Sequence, residues 1–285
     1  MEQAAASETP IAPELAFRTV ISGIDGSREA LEAARQALKL GDEGAVYWGL
    51  AAWDPGLAMH ARLRAPDLLK VLRAESQTAL RTAREAIPEL RPMLIRGKDV
   101  AALLAGIANL QADLVCVGSH GMSRPAGVLF GSVASAMAHF APCSVLVARK
   151  PRSDLFPALL LHANDGSPES LDAARVAGRL AARSDSTLVT LHVGDTADRS
   201  IAEGAAAIIE TSGGQPVIRV EQGSPHRRIV EVANETDASL IVMGSRGRTG
   251  LAALGSVSEQ VTHRADCSVL LVRRPSHPVE DEEPS

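Results

Sequence analysis

Short runs rich in Val, Ile and Leu alternate along this chain with longer Ala- and Leu-rich runs whose apolar positions recur every three or four residues. The short runs read as buried strands and the long ones as amphipathic helices, and their regular alternation is the pattern of βαβ units closing a parallel sheet. In the first half it predicts strands near Arg18–Ile24, Val46–Ala51, Met93–Arg96, Asp113–Val117 and Ser144–Ala148. Helices are predicted over Arg28–Leu40, about Asp67–Ala86, Val100–Leu110 and Ser132–Phe140. The second half repeats the scheme, with strands near Leu159–Ala163, Thr187–His192, Val217–Glu221, Leu240–Met243 and Ser268–Val272. Its helices fall at about Glu169–Arg183, Ser200–Thr211, Arg227–Thr236 and Val257–His263.

The two halves are copies of each other. Leu114–Arg149 (LVCVGSHGMSRPAGVLFGSVASAMAHFAPCSVLVAR) and Leu240–Arg273 (LIVMGSRGRTGLAALGSVSEQVTHRADCSVLLVR) both run strand, glycine loop, Gly-Ser, helix, Cys-Ser, strand. Val20–Ser27 and Leu160–Ser167 both end in Asp-Gly-Ser. Asp165 lies 140 residues after Asp25, Gly244 126 after Gly118, and Cys267 124 after Cys143, so the second copy is shorter in its middle and its glycine loop has lost two residues. A repeat of this length fixes the architecture before any motif is weighed. Right-handed crossovers then predict an α/β chain of two repeated doubly wound, Rossmann-like domains, each a five-stranded parallel sheet of order 3-2-1-4-5. The expected organisation is a mobile leader over 1–16, a first domain over 17–150, a linker over 151–157, a second domain over 158–275 and an acidic tail over 276–285. The last strand of each copy is an apolar sheet edge that needs cover, so the two are expected to pair as an internal pseudo-dimer. Association of two chains into a homodimer stays open.

Composition narrows the class. With 46% hydrophobic but 2% aromatic residues, the core is built from Ala, Val, Leu and Ile, which suits helices laid on a parallel sheet. A net charge of −5 without a Lys/Arg run argues against nucleic acid or an anionic membrane as the main partner. No stretch approaches the ~18 apolar residues of a membrane span, and the N-terminus lacks the basic start and apolar run of an export signal. Three cysteines, none in CxxC spacing, read as small buried side chains in a reducing, cytoplasmic compartment. Cys143 and Cys267 are expected to pack, and His139 and His263 have no ligand-spaced partners, so no metal site is predicted.

The candidate chemistry lies at the switch point of each sheet, where strands 1 and 4 are neighbours and ligands of open α/β sheets bind. That placement brings Asp25 beside the loop that begins at Gly118. The loop reads Gly118, two residues, Gly121, nine residues, then Gly131-Ser132 opening a helix. Glycines past a strand let backbone approach a ligand, and a helix N-terminus offers free N–H groups to a phosphate chain. No Walker lysine follows, so this is no P-loop, and no GxGxxG turn follows strand 1. The glycines also suit plain tight turns, and Asp25 and Asp165 also suit helix caps. No GxSxG, HExxH or nucleophile set points to catalysis. A response regulator would end strand 3 in an acceptor Asp, where Arg96 and Gly97 stand.

These landmarks, with the Gly97 and Gly223-Ser224-Pro225 turns after strand 3, resemble the universal stress proteins in their tandem form, over about Phe17–Arg274. Members that carry G-2x-G-9x-G-[S/T] bind ATP, and the first copy matches that pattern in full. The resemblance implies Asp25 near the ribose and adenine end, Gly118 and Gly121 along the ribose and phosphate path, and Gly131 and Ser132 on the phosphates. Ser27 is a weaker candidate, a divalent ion such as Mg²⁺ often accompanies the phosphates, and His120 either leans on the nucleotide or faces water. The corresponding second-copy positions are Asp165, Gly244, Gly247, Gly255 and Ser256. There only seven residues, Arg248–Leu254, separate Gly247 from Gly255, which shortens the loop's reach by ~7 Å, with Arg246 and Arg248 available to compensate. The implied role is an ATP-binding, nucleotide-responsive signalling protein of the stress response, with ATP held mainly in the first domain and its occupancy read by unidentified protein partners. The alternatives are a nucleotide-free structural or partner-binding protein and a slow ATPase. No general base is identifiable, so no catalytic residue is named and enzyme activity stays open.

Overall fold

In the computed structural model the elements of the first half are β1 (Thr19–Gly23), α1 (Arg28–Leu40), β2 (Val46–Trp53), α2 (Leu68–Ala86), β3 (Leu90–Arg96), α3 (Asp99–Leu110), β4 (Leu114–Gly118), α4 (Ser132–Phe140) and β5 (Ser144–Ala148). Those of the second are β6 (Leu159–Asn164), α5 (Pro168–Ser184), β7 (Thr187–Val193), α6 (Arg199–Thr211), β8 (Pro216–Glu221), α7 (Pro225–Glu235), β9 (Leu240–Gly244), α8 (Ser256–Arg264) and β10 (Ser268–Val272). The structure describes residues 15–56, 67–121, 130–151, 155–195, 199–247 and 254–274. The acidic tail and part of the expected linker lie outside them. Leu15, which the sequence put in the leader, is 3% exposed and packed in the core.

Prolines account for the largest boundary differences. β3 begins at Leu90 and runs through Pro92 because β3 is an edge strand, where a missing N–H breaks no ladder bond. α7 begins at Pro225 rather than Arg227, since proline in the first helical turn loses no hydrogen bond.

One ten-stranded sheet carries both halves in the order β3-β2-β1-β4-β5-β10-β9-β6-β7-β8, which is 3-2-1-4-5 within each half. Neighbours within a half are parallel. At the seam β5 and β10 pair antiparallel, Val145 with Leu271 and Val147 with Val269. The carboxyl ends of the two sets of parallel strands therefore point to opposite edges of the sheet.

Side chains alternate across this sheet with the strand period of two. Val145, Val147, Val269 and Leu271 face the cluster under α3, α4, α7 and α8, whereas Leu146 and Leu270 face the one under α1, α5 and α6. Both clusters draw residues from both halves, so the hydrophobic cores are continuous across the seam. Each such buried side chain contributes ~1.5–3 kcal/mol by transfer from water.

Two arginines lock the seam reciprocally. Arg149, just past β5, donates to the Thr262 carbonyl in the last turn of α8 at 2.6 Å and to the Cys267 carbonyl just before β10 at 3.3 Å. Arg273, just past β10, donates to the carbonyls of Ala138 and Ala141 at the end of α4. Each cation thus sits on the negative end of the other half's last helix. Burial lowers the pKa of both, that of Arg273 to about 10, which still leaves them charged at neutral pH. Ser144 Oγ accepts from the Arg273 N–H at 3.1 Å and Ser268 Oγ from the Arg149 N–H at 3.0 Å. Among the described residues no helix is long and apolar enough to cross a membrane.

Replacing Arg273 by Met strands two buried carbonyls. Urea unfolding is expected to show a loss of about 2–4 kcal/mol; a change under ~0.5 kcal/mol would mean that the pair does not hold the seam.

Candidate functional site

At the carboxyl edge of the first half β1 lies against β4, Ser22 opposite Cys116. The chain leaves β1 for α1 on one face of the sheet and leaves β4 for α4 on the other, and the splay opens a crevice. Asp25 stands at its rim. Its Oδ1 accepts from the Ser27 N–H at 2.9 Å and the Ser27 hydroxyl at 2.5 Å, and Ser27 Oγ accepts from the Ala30 N–H at 3.1 Å. The helix cap is therefore Ser27, and likewise Ser167 in the second half, not Asp25 or Asp165. A hydroxyl is held more easily over a first-turn N–H from the residue directly before the helix.

The glycines divide into two kinds. A Cβ at 118 would lie 2.8 Å from the Glu29 carbonyl carbon, so Gly118 lets β4 pack on the first turn of α1. A Cβ at 121 would lie 2.6 Å from Asp25 Oδ2, so Gly121 brings the loop onto the carboxylate and joins the two sides of the crevice. Gly131 is the N-cap of α4, and its N–H is already given to the Ser119 carbonyl at 2.8 Å. The donors left for an anion are thus not the Gly131 amide, as the sequence suggested, but the first-turn N–H groups of Ser132, Val133 and Ala134, which have no carbonyl a turn behind them.

His120 is half-buried. Its Nδ1 lies 3.0 Å from Ser119 Oγ, and its Nε2 is buried without a hydrogen-bond partner, which costs ~1–3 kcal/mol. At the far side of the crevice the Asp99 carboxyl is raised by desolvation and then by the charges of Asp25 and Asp54. One end of the crevice is accordingly negative and the other, at α4, offers amide hydrogens. This polarity orients any phosphate-bearing ligand with its phosphates toward α4.

The second half builds the same frame at the opposite edge. Asp165 Oδ1 accepts from the Ser167 N–H at 3.0 Å. A Cβ at 247 would lie 2.8 Å from Asp165 Oδ2, and one at 244 would lie 2.9 Å from Glu169. Gly255 is the N-cap of α8 and donates to the Ser245 carbonyl at 2.8 Å, as Gly131 does to Ser119. The two-residue deletion has therefore not withdrawn the start of α8, whereas the expected shorter reach of the loop concerns Arg248–Leu254, nearly all of it outside the described residues. The length difference falls between the anchored ends, largely in 122–129 and 248–253, outside the described residues. Arg246 lies 3.5 Å from Glu169; Arg248 is outside the described residues.

A buried polar group in the second half was not anticipated. His162 Nδ1 lies 2.9 Å from Thr190 Oγ1 and Nε2 lies 2.9 Å from the Ser170 carbonyl. A carbonyl only accepts, so Nε2 carries the proton. Burial pushes the His162 pKa down to about 4. Ser170 Oγ lies 2.9 Å from Asn164 Oδ1, Asn164 Nδ2 donates to the Ile201 carbonyl at 2.8 Å, and His192 Nδ1 donates to the Asn164 carbonyl at 2.9 Å. The first half has Ser22, Ile24, Ala30, Gly49 and Ala51 where the second has His162, Asn164, Ser170, Thr190 and His192. Laying the copies side by side would have exposed these exchanges of polar for small or apolar residues. Burial raises the Cys116 thiol well above the ordinary value and the Cys143 thiol to about 12, which makes both packing groups rather than nucleophiles. Among the described residues no group of three or more His, Cys, Asp or Glu is placed to hold a metal ion.

Comparison with known proteins matches the universal stress protein family model to residues 16–149 and 201–273. A universal stress protein of Mycobacterium tuberculosis (strain H37Rv) is 30% identical over 295 residues, spanning 90% of this chain and 97% of its own length. Another from the same strain is 27% identical over 284 residues, spanning 92% and 98%. A solved structure of a universal stress protein from Archaeoglobus fulgidus has a TM-score of 0.65 at 22% identity and covers 90% of this chain and 99% of that one, a likeness of fold.

Two substitutions test the local account. Gly118→Ala is expected to cost about 1–3 kcal/mol in unfolding free energy, because backbone of α1 occupies the space; an unchanged stability would show that β4 does not depend on that approach. His162 stays neutral in the folded chain down to about pH 4, whereas the unfolded chain takes up the proton below about pH 6.5. Its contribution is whole above that pH and declines as pH falls toward 4, by up to ~3 kcal/mol. Urea midpoints between pH 7.5 and 4.5 should therefore converge for wild type and His162→Gln as pH falls. Parallel curves would contradict the assignment.

Proposed function

The chain belongs to the universal stress protein family, and we propose that it is a nucleotide-responsive binding protein whose first half holds ATP in the crevice between β1 and β4. The observation that carries this reading is the meeting of three features at one edge: Asp25 against Gly121, the open first turn of α4, and the buried, unpartnered Nε2 of His120. In this reading the amides of Ser132 and Val133, with the Ser132 hydroxyl, take the phosphates. Asp25 takes ribose hydroxyls. The Ser27 hydroxyl is committed to Asp25 and Ala30, which makes it a positioning group. Mg²⁺ would arrive on the nucleotide, since the described residues place no three-ligand set to hold an ion. Gly118 supports the frame without touching the ligand.

Such a ligand bridges Gly121 and Ser132, the two ends of the loop, and so changes the surface that this edge offers to protein partners. The response is a shift of population between occupied and empty states, without turnover.

Titration with ATP and Mg²⁺ should raise the thermal midpoint with the logarithm of ligand concentration, with about 2.7 kcal/mol of stabilisation at a hundredfold excess over Kd. Gly131→Val, whose side chain meets the Ser119 carbonyl and His120, should abolish most of the shift. No shift of the wild-type chain at millimolar ATP would favour the nucleotide-free alternative. Phosphate release above that of Gly131→Val would add a hydrolytic role.

A further inference from the structure

The loop that leaves β4 is met at its far end by a side chain of the other half. Its last residue before Gly131, Phe130, is half-buried and packs on the α4 side of the sheet. The His263 ring of α8 lies on Phe130, with centroids 4.2 Å apart and planes inclined by 31°, an aromatic contact that adds to the effect of burial.

The antiparallel seam explains how a residue so distant along the chain arrives there. β10 begins beside the end of β5, with Val269 opposite Val147, so α8, which leads into β10, ends at the carboxyl edge of the first half. Arg149 fixes that end by donating to the carbonyl of Thr262, the residue before His263. The start of the loop is tied to the same place. Its Ser119 N–H donates to the Ala148 carbonyl at 2.9 Å, and the Ser119 carbonyl accepts from Gly131 at 2.8 Å. Ala148 and Arg149 therefore anchor both ends of the loop, one directly and the other through α8 and His263. Charge is not what holds the ring. Partial desolvation lowers the His263 pKa; Glu259 opposes this, while His139, Arg149 and Arg264 add to it. The ring on Phe130 is thus neutral at neutral pH.

The repeat shows that this arrangement belongs to one crevice. Leu254 stands in the place of Phe130 and is 6% exposed, within the core. His139, the counterpart of His263, has its Nδ1 2.8 Å from the Ser135 carbonyl of its own helix and its Nε2 3.7 Å from Glu259. The second loop end is anchored by burial, whereas the first keeps a half-buried ring that the other half covers.

We infer that His263 is a positioning residue of the first crevice, supplied by the second half. By holding Phe130 it keeps the start of α4 and the bond from Gly131 to Ser119 in the arrangement that receives a phosphate. The inference rests on the nucleotide reading of the first crevice and adds that this site is complete only when the halves are joined at the seam. A loop end held before the ligand arrives lowers the ordering cost of binding. Losing the hold reduces the population competent to bind, and with it the apparent affinity.

Calorimetric titration of the full chain with ATP and Mg²⁺, together with amide exchange of the ligand-free chain, tests this. His263 is exposed, so His263→Ala should fold; it should weaken ATP ~3–10-fold and speed exchange of the Gly131 amide. His263→Phe, which keeps a ring on Phe130, should restore affinity to within about twofold of wild type. Phe130→Leu, which copies the second half, should weaken binding by a similar factor, and adding His263→Ala to it should weaken it no further. Wild-type binding that His263→Ala leaves unchanged, with Gly131 exchange also unchanged, would overturn the inference and leave the nucleotide reading standing. Additive losses in the double variant, or no recovery in His263→Phe, would overturn the stack on Phe130 as its basis. Absence of binding by the wild type would overturn both readings.

Discussion

The antiparallel pairing of β5 with β10 is the contact on which the rest of the structure depends. Each strand closes its own half with a fully buried row of apolar side chains, which alone would leave an exposed edge open to pairing with another chain. Joined, they become the centre of a single sheet. Arg149 and Arg273 extend the joint beyond the strands by reaching the last helix of the other half, and their charge meets the carbonyls that a helix end leaves unsatisfied. The antiparallel sense then dictates the functional geometry. The crevices open at opposite edges, and the end of α8 lies beside the first crevice, where the His263 ring stands 4.2 Å from Phe130, the residue before Gly131.

Duplication has kept the frame of the two crevices and changed their lining. Gly118 and Gly244, Gly121 and Gly247, and Gly131 and Gly255 make equivalent approaches to α1 or α5, to an Asp carboxylate, and to the loop backbone. The frame is therefore insensitive to the length of loop between its anchored ends. The lining differs at His120 and Arg246, and at the five buried positions that are small or apolar in one half and polar in the other. Those five residues form a chain of hydrogen bonds, two of its links through the backbone carbonyls of Ser170 and Asn164, in which His192 Nε2 is left without a partner. An incompletely satisfied buried network is unfavourable for stability alone.

Much of this was legible in the sequence. The alternation of apolar runs and the repeat predicted the element order, the 3-2-1-4-5 strand order and the approach of Asp25 to the glycine loop, because these follow from periodicity and crossover handedness. Boundaries at Pro92 and Pro225 were misplaced, since a proline reads as a breaker until the strand is known to be an edge or the helix to begin there. That the start of α8 stays in place despite the shorter loop depends on the bond from Gly255 to Ser245, which counting residues along the loop does not reveal. His162 and His192 went unremarked because a lone polar residue in LLLHAN or TLVTLHV does not disturb a strand pattern, and pairing across strands is a property of register. Which amides remain free at α4 depended on the bond from Gly131 to Ser119, a contact that no spacing rule contains.

The central claim is that the open first turn of α4 and the loop resting on Asp25 grip a polyphosphate together. Amide hydrogen exchange of the full chain with and without ATP and Mg²⁺ measures this directly. The account predicts ligand-dependent protection of the amides of Ser132 to Ala134 and of Ser119 to Gly121, present in wild type and absent in Gly131→Val. Saturating ATP that leaves exchange at both segments unchanged, or protects only segments remote from this edge, would contradict it.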